Sequence, residues 1–376
     1  MNIKHFIIST ISFILISTSF VFSQEIKIGT YKFKDGSVYT GEMQGKKPNG
    51  KGITVFLNGD KYEGEYVKGK RQGQGVFTFP DGERYEGQWF QDQQHGYGTY
   101  YFMNNNKYVG MWYTDYQDGN GTMYYYNGDT YKGNWLDDKR EGHGVYTWKS
   151  GAYYDGEWKA DKKNGTGTLV WGDGSKYVGE WKNNVRWGHG KYQYASGDTY
   201  DGEWVNDVQN GKGTYTFVTG EKYIGDYHNG ERTGQGEYSM PNGDKYVGQF
   251  KDGLRNGEGT VTTSKGTYTG DWVDNQRNGH GKYTWGKSNS YDGEWKNDLY
   301  NGYGTLTLDD GSHYKGYFGN GLQEGKGILT NADGSRYEGF FHNGKKDGPF
   351  VEYDKNGNIT RRGTFRMGMV ENVEKP

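Results

Sequence analysis

The sequence predicts an all-β protein: an elongated, single-layer twisted ribbon of tandem antiparallel β-hairpins on a 23-residue period. Three observations predict it. The tripeptide Tyr-x-Gly recurs at Tyr39, Tyr62, Tyr85, Tyr108, Tyr131, Tyr154, Tyr177, Tyr200, Tyr223 and Tyr246, then one residue early at Tyr268, and again at Tyr291, Tyr314 and Tyr337. A Gly-x-Gly follows eleven residues after each tyrosine up to Tyr314, as at Gly142/Gly144, Gly188/Gly190 and Gly302/Gly304. Apolar and polar residues alternate with period two through both segments, the signature of strands rather than helices.

The alternation assigns each position. In Tyr154-Asp-Gly156-Glu-Trp158, residues i, i+2 and i+4 share one strand face, leaving Asp155 and Glu157 on the other. The i+4 residue is aromatic in thirteen of fourteen copies, Met43 being the exception. Gly142-His-Gly144-Val-Tyr146-Thr-Trp148 repeats the pattern on the returning strand. Polar loops such as Lys182-Asn183-Asn184-Val185-Arg186 join the two strands of a hairpin. Turns such as Asp81-Gly82, Asn127-Gly128, Asp173-Gly174 and Asp333-Gly334 lead into the next copy. One copy has Asn104-Asn105-Asn106 there, residues that also enter the left-handed region.

Composition fits a core made of rings. Gly supplies 66 residues, Tyr 36 and Trp 12, while hydrophobic residues reach only 31%. Large rings need a Cβ-free backbone to lie flat on, so the glycines are read as packing positions. The structural lattice is expected to include Tyr62, Tyr85, Trp89, Tyr131, Trp135, Tyr154, Trp158, Tyr177, Trp181, Tyr200, Trp204, Trp272, Tyr291 and Trp295. Twenty-eight strands at about 4.8 Å spacing would span about 130 Å, with each repeat touching mainly its neighbours. Such a single layer is expected to leave an aromatic face exposed.

Met1–Ser23 differ in character: Lys4, then an uncharged run from Phe6 to Phe22, then Gln24. This reads as a signal peptide, so export to the periplasm, cell surface or medium is expected, with an uncleaved N-terminal anchor as the other possibility. Residues 24–38 read as an N-terminal half repeat carrying Gly29-Thr-Tyr31-Lys-Phe33, residues 39–348 as fourteen repeats, and residues 349–376 as a variant C-terminal cap.

Charge and cysteine usage exclude several functions. The chain carries a net charge of -2 and has no cysteine. Disulfides, thiolate metal sites and cysteine nucleophiles are therefore ruled out, and no basic excess points to nucleic acid. His143, His189 and His280 sit inside Gly-x-Gly strands. His143 and His189 lie four strands apart, about 19 Å, too far to share a metal. The recurring acidic residues read as a solvated face, and no helix or lysine follows Gly-x-Gly to make a phosphate loop. Neither catalysis nor a cofactor is expected.

Tyr177-Val-Gly-Glu-Trp181 with Gly188-His-Gly190, and Tyr291-Asp-Gly-Glu-Trp295 with Gly302-Tyr-Gly304, resemble the MORN (membrane occupation and recognition nexus) repeat. The resemblance covers Gly29 to about Gly348. The segment around Gly348-Pro-Phe350, Gly357 and Gly363-Thr-Phe365 resembles the variant repeat of some bacterial antitoxin-like proteins. MORN repeats occur in junctophilins, plant phosphatidylinositol phosphate kinases, radial-spoke proteins and many bacterial proteins. The resemblance therefore implies scaffolding, dimerisation or membrane attachment, and no kinase domain fits this chain.

Binding is expected to a protein partner or a second copy, with an anionic membrane surface or a polysaccharide as alternatives. The candidate residues are a loop-edge row, Arg140, Lys163, Arg186, Arg232, Arg255 and Arg277, continued by Arg71 and Lys346. Acidic residues of the same loops (Asp137, Asp138, Asp161, Asp252, Asp274) oppose the row. Eleven of the twelve tryptophans take lattice positions, and Trp187 stands outside them, where most copies have Asn, Asp or Glu.

Overall fold

A computed structural model describes residues 26–374, which contain 31 strands joined by turns and no helix. The signal segment read from the sequence lies outside the described residues. The chain divides into two compact units: residues up to 126 together with Leu136–Asp138, and residues 127–135 together with those from Lys139 onward. Within each unit the strands form an open antiparallel sheet in which sequence neighbours pair, as the hairpin repeat predicts. Strand Lys27–Lys32, the expected half repeat, pairs with strand Val38–Gln44.

One repeat shows the construction. In strand Tyr153–Lys159, the Tyr154 ring bends back over its own chain, and its Oη donates to the Glu157 carbonyl at 3.0 Å. There it covers Gly156 and, across the ladder, Gly167; a Cβ on either glycine would overlap the phenol. Trp158 stands edge-on to Tyr154 with centroids 5.2 Å apart at 88°, and its Nε1 donates to the Gly144 carbonyl at 3.0 Å. Tyr154 then meets Trp181 of the next repeat at 5.5 Å and 85°. T-shaped ring pairs of this kind add about 0.5–1.5 kcal/mol each beyond the area they bury.

This packing overturns the expectation of an exposed aromatic face. Tyr62, Tyr85, Tyr154, Tyr177 and Tyr200 are fully buried, and Trp158, Trp181 and Trp204 are nearly so. The rings lie along the sheet rather than standing on it, so each repeat covers its neighbour's rings without a second layer. Trp112 shows the constraint by exception, because its Nε1 is buried with no hydrogen-bond partner.

The two glycines of Gly-x-Gly do different things. The second lies beneath the tyrosine. The first, Gly165 in this repeat, has φ +92° and sits in a bulge, where the register shifts between Gly156 and Trp158. The bulge frees the Thr166 N–H, which donates to Glu157 Oε2 at 2.6 Å. His189 donates likewise to Glu180 and His280 to Asp271. The acidic residue of Tyr-x-Gly-Glu is thus a bulge acceptor, a role that a merely solvated face would not have.

The turns follow their chemistry. Asn183 and Asn184 adopt φ 50° and 75°, matching the two-residue hairpin turns that need φ > 0 at both positions. Asn105 takes φ 64°, as its place in the Asn-Asn-Asn turn predicts. The one-residue slip before Tyr268 is absorbed where Thr263 pairs with Gly266 around Ser264-Lys265. At the C-terminal end, Phe350 replaces the second glycine and stacks on Tyr337 at 5.6 Å and 21°.

Two outcomes follow from this core. Gly190→Ala would drive a methyl into the Tyr177 ring, whereas nothing lies within 4 Å of a Cβ on Gly172. The first is expected to destabilise its repeat by about 1–3 kcal/mol and the second by less than about 0.5 kcal/mol, read by hydrogen exchange in residues 177–199. Burial raises the phenols of Tyr223 and Tyr246 to about 12. Unfolded tyrosines ionise near pH 10, so this stabilisation is complete below pH 10 and is lost as pH rises toward 12. Tyrosinate absorbance should therefore lag behind that of free tyrosine and rise together with unfolding.

Candidate functional site

The predicted basic row lies where successive repeats meet. Arg140 sits over the Trp158 ring at 4.3 Å, and its Nε and backbone N–H both donate to Asp161 Oδ1, at 2.9 and 3.1 Å. Its Nη2 donates to the Asp161 carbonyl at 2.9 Å, and the Asp161 N–H returns to the Arg140 carbonyl at 3.1 Å. Arg186 does the same with Trp204 and Asp207, and Arg277 with Trp295 and Asp298. Arg71 follows with Trp89 and Asp92.

Each such arginine staples the turn of the next repeat onto its own strand. The aspartate occupies the second turn position with φ > 0, for example Asp161 at 67° and Asp207 at 67°. The row is thus an internally compensated seam, and one of the acidic residues read as opposing it, Asp161, is the partner of Arg140. Arg255 covers Trp272 at 4.4 Å but meets Asn275 in place of an aspartate. Lys163 covers Trp181 at 4.1 Å and faces Asn184; burial lowers its amine to about 8. Lys346 lies 4.0 Å from the Tyr337 centroid and pairs with Glu352 at 3.4 Å. Arg232 differs from all of them in its distance from the rings, with centroids at 5.5–5.9 Å; like Lys163 and Arg255 it has no ion pair among the described residues.

Trp187 occupies the position that elsewhere receives the first N–H of the following turn, as Glu141 does from Ala160 and Asn278 from Asn297. An indole offers no oxygen, and Trp187 instead lies half-buried under Lys182 Nζ at 4.3 Å. His143, His189 and His280 each meet one aspartate on the opposite face, at 3.0, 3.2 and 3.5 Å, and do not converge.

The face opposite the rings holds what the sequence reading missed. In the first unit, Phe90, Tyr97, Tyr113 and Tyr116 are 47, 57, 58 and 49% exposed. His95 lies between Phe90 and Tyr113, with centroids at 5.6 and 5.3 Å, while Tyr113 pairs with Tyr116 and Tyr97 with Met111. Strand alternation places all of them on the solvent face. Next to them runs an open trough of about 820 Å³, floored by Gly64, Gly75, Gly87 and Gly98 and rimmed by Glu63, Gln88 and Tyr97. A similar trough of about 790 Å³ in the second unit is rimmed by charged residues instead, including His189, Asp201, Lys212 and Glu237. The signal was present in the sequence: from Gly87 to Tyr126 only Asp92, Lys107, Asp115 and Asp118 are charged.

A buried ring lattice, an arginine-stapled seam and two open polar troughs define a hairpin-repeat scaffold. The MORN repeat family matches fourteen consecutive segments from residues 39–61 to residues 337–359, and the chain belongs to that family, one of non-enzymatic repeat scaffolds. The fourteenth match extends to residue 359, past the boundary at 348 read from the sequence. No curated protein matches the chain. Among solved structures, the TCP domain of Drosophila melanogaster SAS-4 (dCPAP), in complex with a proline-rich motif of Ana2, is similar at 14% identity, covering 47% of this chain and 90% of its own, with a TM-score of 0.28. The CPAP G-box domain follows at 12% identity, covering 60% and 99%, with a TM-score of 0.20. A streptogramin B lyase is similar at 13% identity, covering 84% and 95%, with a TM-score of 0.13. At these scores none of the three bears on function.

The seam yields a measurable coupling. Arg186→Met removes a cation–π contact worth about 0.5–2 kcal/mol and a half-exposed ion pair worth about 0.2–1 kcal/mol. Asp207→Asn removes the ion pair alone. A double-mutant cycle should give a coupling below about 1 kcal/mol, with the larger loss in Arg186→Met, and hydrogen-exchange protection should fall in repeats 177–199 and 200–222 together.

Proposed function

We propose that the chain is an exported, non-catalytic scaffold that binds protein partners or further copies of itself through the aromatic strip of its solvent face. The observation that carries this reading is the exposure of Phe90, Tyr97, Tyr113 and Tyr116 together on one face. The buried lattice accounts for every ring needed to hold the repeats together, so these rings are surplus to folding. Contiguous exposed aromatic surface is the usual mark of an interaction site. Export rests on the apolar segment before Gln24.

Membrane attachment through the basic row is less well supported. Attraction to anionic lipid needs unopposed charge, and the arginines of the row are largely spent on Trp rings and aspartates. Polysaccharide stacking would use the same strip, so the test must separate it from protein contact.

The test compares the chain purified from its exporting host, its N-terminus sequenced for processing at Gln24, with Phe90→Ser/Tyr113→Ser. Light scattering is read alone, with phosphatidylserine vesicles, and with soluble glucan. The expected result is association in the wild type that the double variant loses at least tenfold, with unchanged circular dichroism and no response to vesicles. Association equal in both proteins, or a response to vesicles or glucan alone, would overturn the protein-binding reading.

A further inference from the structure

Compared along the chain, the seam follows a rule from which two glycine turns depart. Where the second turn position carries Asp or Asn, the residue it docks on is basic or Gln: Asp92 on Arg71, Asp138 on Gln117, Asp161 on Arg140, Asn275 on Arg255. Where that position is glycine, the docking residue is uncharged: Gly69 on Pro48, Gly230 on Gln209, Gly321 on Tyr300, Gly344 on Gln323. Gly368 docks on Lys346, which has Glu352 instead. Gly253 docks on Arg232, and no carboxylate replaces the missing one.

A cavity lies at the same place. It measures about 510 Å³ and is lined by Arg232, Tyr238, Phe250, Gly253, Arg255 and Val261, among others. Its origin is in the sequence. The adjoining repeats carry larger side chains at the corresponding two positions, Tyr238 and Met240 on one side and Tyr283 and Trp285 on the other, but this repeat has Val261 and Thr263. The void therefore opens beside a guanidinium that touches only ring faces. Arg255, on the same wall, bonds to Asn275 and likewise meets no carboxylate. Asp244 lines the cavity too; its oxygens accept from the Ser264 N–H and the Asn242 amide, and it makes no ion pair with Arg232 or Arg255 among the described residues.

We infer that this cavity is a binding site for a small organic carboxylate with a flat apolar body. The carboxylate takes the place on Arg232 that Asp161 and Asp207 take on Arg140 and Arg186. The body fills the space that Val261 and Thr263 leave, against Phe250 and Tyr238. A planar guanidinium prefers a two-oxygen anion that it can grip with parallel N–H bonds, and the aromatic wall favours a ring over a hydrated inorganic ion.

The fold supplies its own test. Gly253 has φ +78° with nothing within 4 Å of a Cβ, and Asp92 occupies the equivalent position at φ 77°. Gly253→Asp should therefore fold and place an internal carboxylate on Arg232. Benzoate is titrated into the full chain by calorimetry and thermal shift, with acetate and inorganic phosphate as comparators. The wild type should bind benzoate saturably, and at least tenfold more tightly than acetate or phosphate. Arg232→Gln and Gly253→Asp should each weaken benzoate at least tenfold, with Gly253→Asp melting higher than the wild type, while Arg140→Gln leaves benzoate affinity unchanged. No saturable benzoate binding, equal binding in Gly253→Asp, or phosphate binding as tight as benzoate would overturn the assignment. The Phe90/Tyr113 variant should keep benzoate affinity, which separates this site from the scaffold surface.

Discussion

The structure depends on a tyrosine ring lying flat on a pair of glycines. Folding a phenol back along its own strand hides it from water only if the backbone beneath has no Cβ, and only if the hydroxyl finds an acceptor. Gly156 and Gly167 meet the first condition for Tyr154, and the Glu157 carbonyl meets the second. The ring then offers one edge to its own tryptophan and another to that of the next repeat. A sheet normally needs a second layer to bury one face, and here the rings themselves are that layer. The entropic cost of glycine in a strand is offset at every repeat by ring burial, so an unbroken glycine lattice and an unbroken ring lattice require each other.

The other recurring positions manage what this packing leaves over. The bulge needed to bring the tryptophan back into register exposes an N–H, and the Glu of Tyr-x-Gly-Glu accepts it. The turn that closes each hairpin must be fixed to the preceding copy, and the Arg–Asp staple does so while its guanidinium covers the tryptophan. Charge is thus largely consumed along the seam. For a repeat array in which stability is carried between nearest neighbours, the seam is also where a substitution in one copy reaches the next.

Most of the fold was legible in the sequence because period and alternation are direct consequences of strand geometry: the fourteen tyrosines, the paired glycines and the Asn105 turn all read true. Three features were not. Burial of the aromatic face escaped because alternation lays each ring on its own glycines but does not show that the tryptophan of the next repeat closes over it, as Trp181 does over Tyr154. The bulge escaped because Gly165 and Gly167 look alike in sequence, although one is needed for its φ and the other for its missing Cβ. The staple escaped because its partners lie 21 residues apart, as Arg140 and Asp161 do, and so belong to different copies of the motif. A reading aligned by repeat would have found the pair, since Arg71/Asp92, Arg186/Asp207 and Arg277/Asp298 share the spacing.

Seen this way, functional information in a repeat protein lies in departures from its own rule rather than in any motif. Trp187 departs from the turn-capping position, yet it remains in the sheet under Lys182. The strip from Phe90 to Tyr116 departs by exchanging charge for rings on a face that the lattice does not need. Arg232 departs by keeping a cation after its aspartate has become Gly253. In every other glycine turn the facing residue has lost its charge or found another partner, which is what the cost of a poorly compensated, half-buried cation demands. A cation retained against that cost, beside space that the neighbouring copies fill, is the feature of this array that folding alone does not account for.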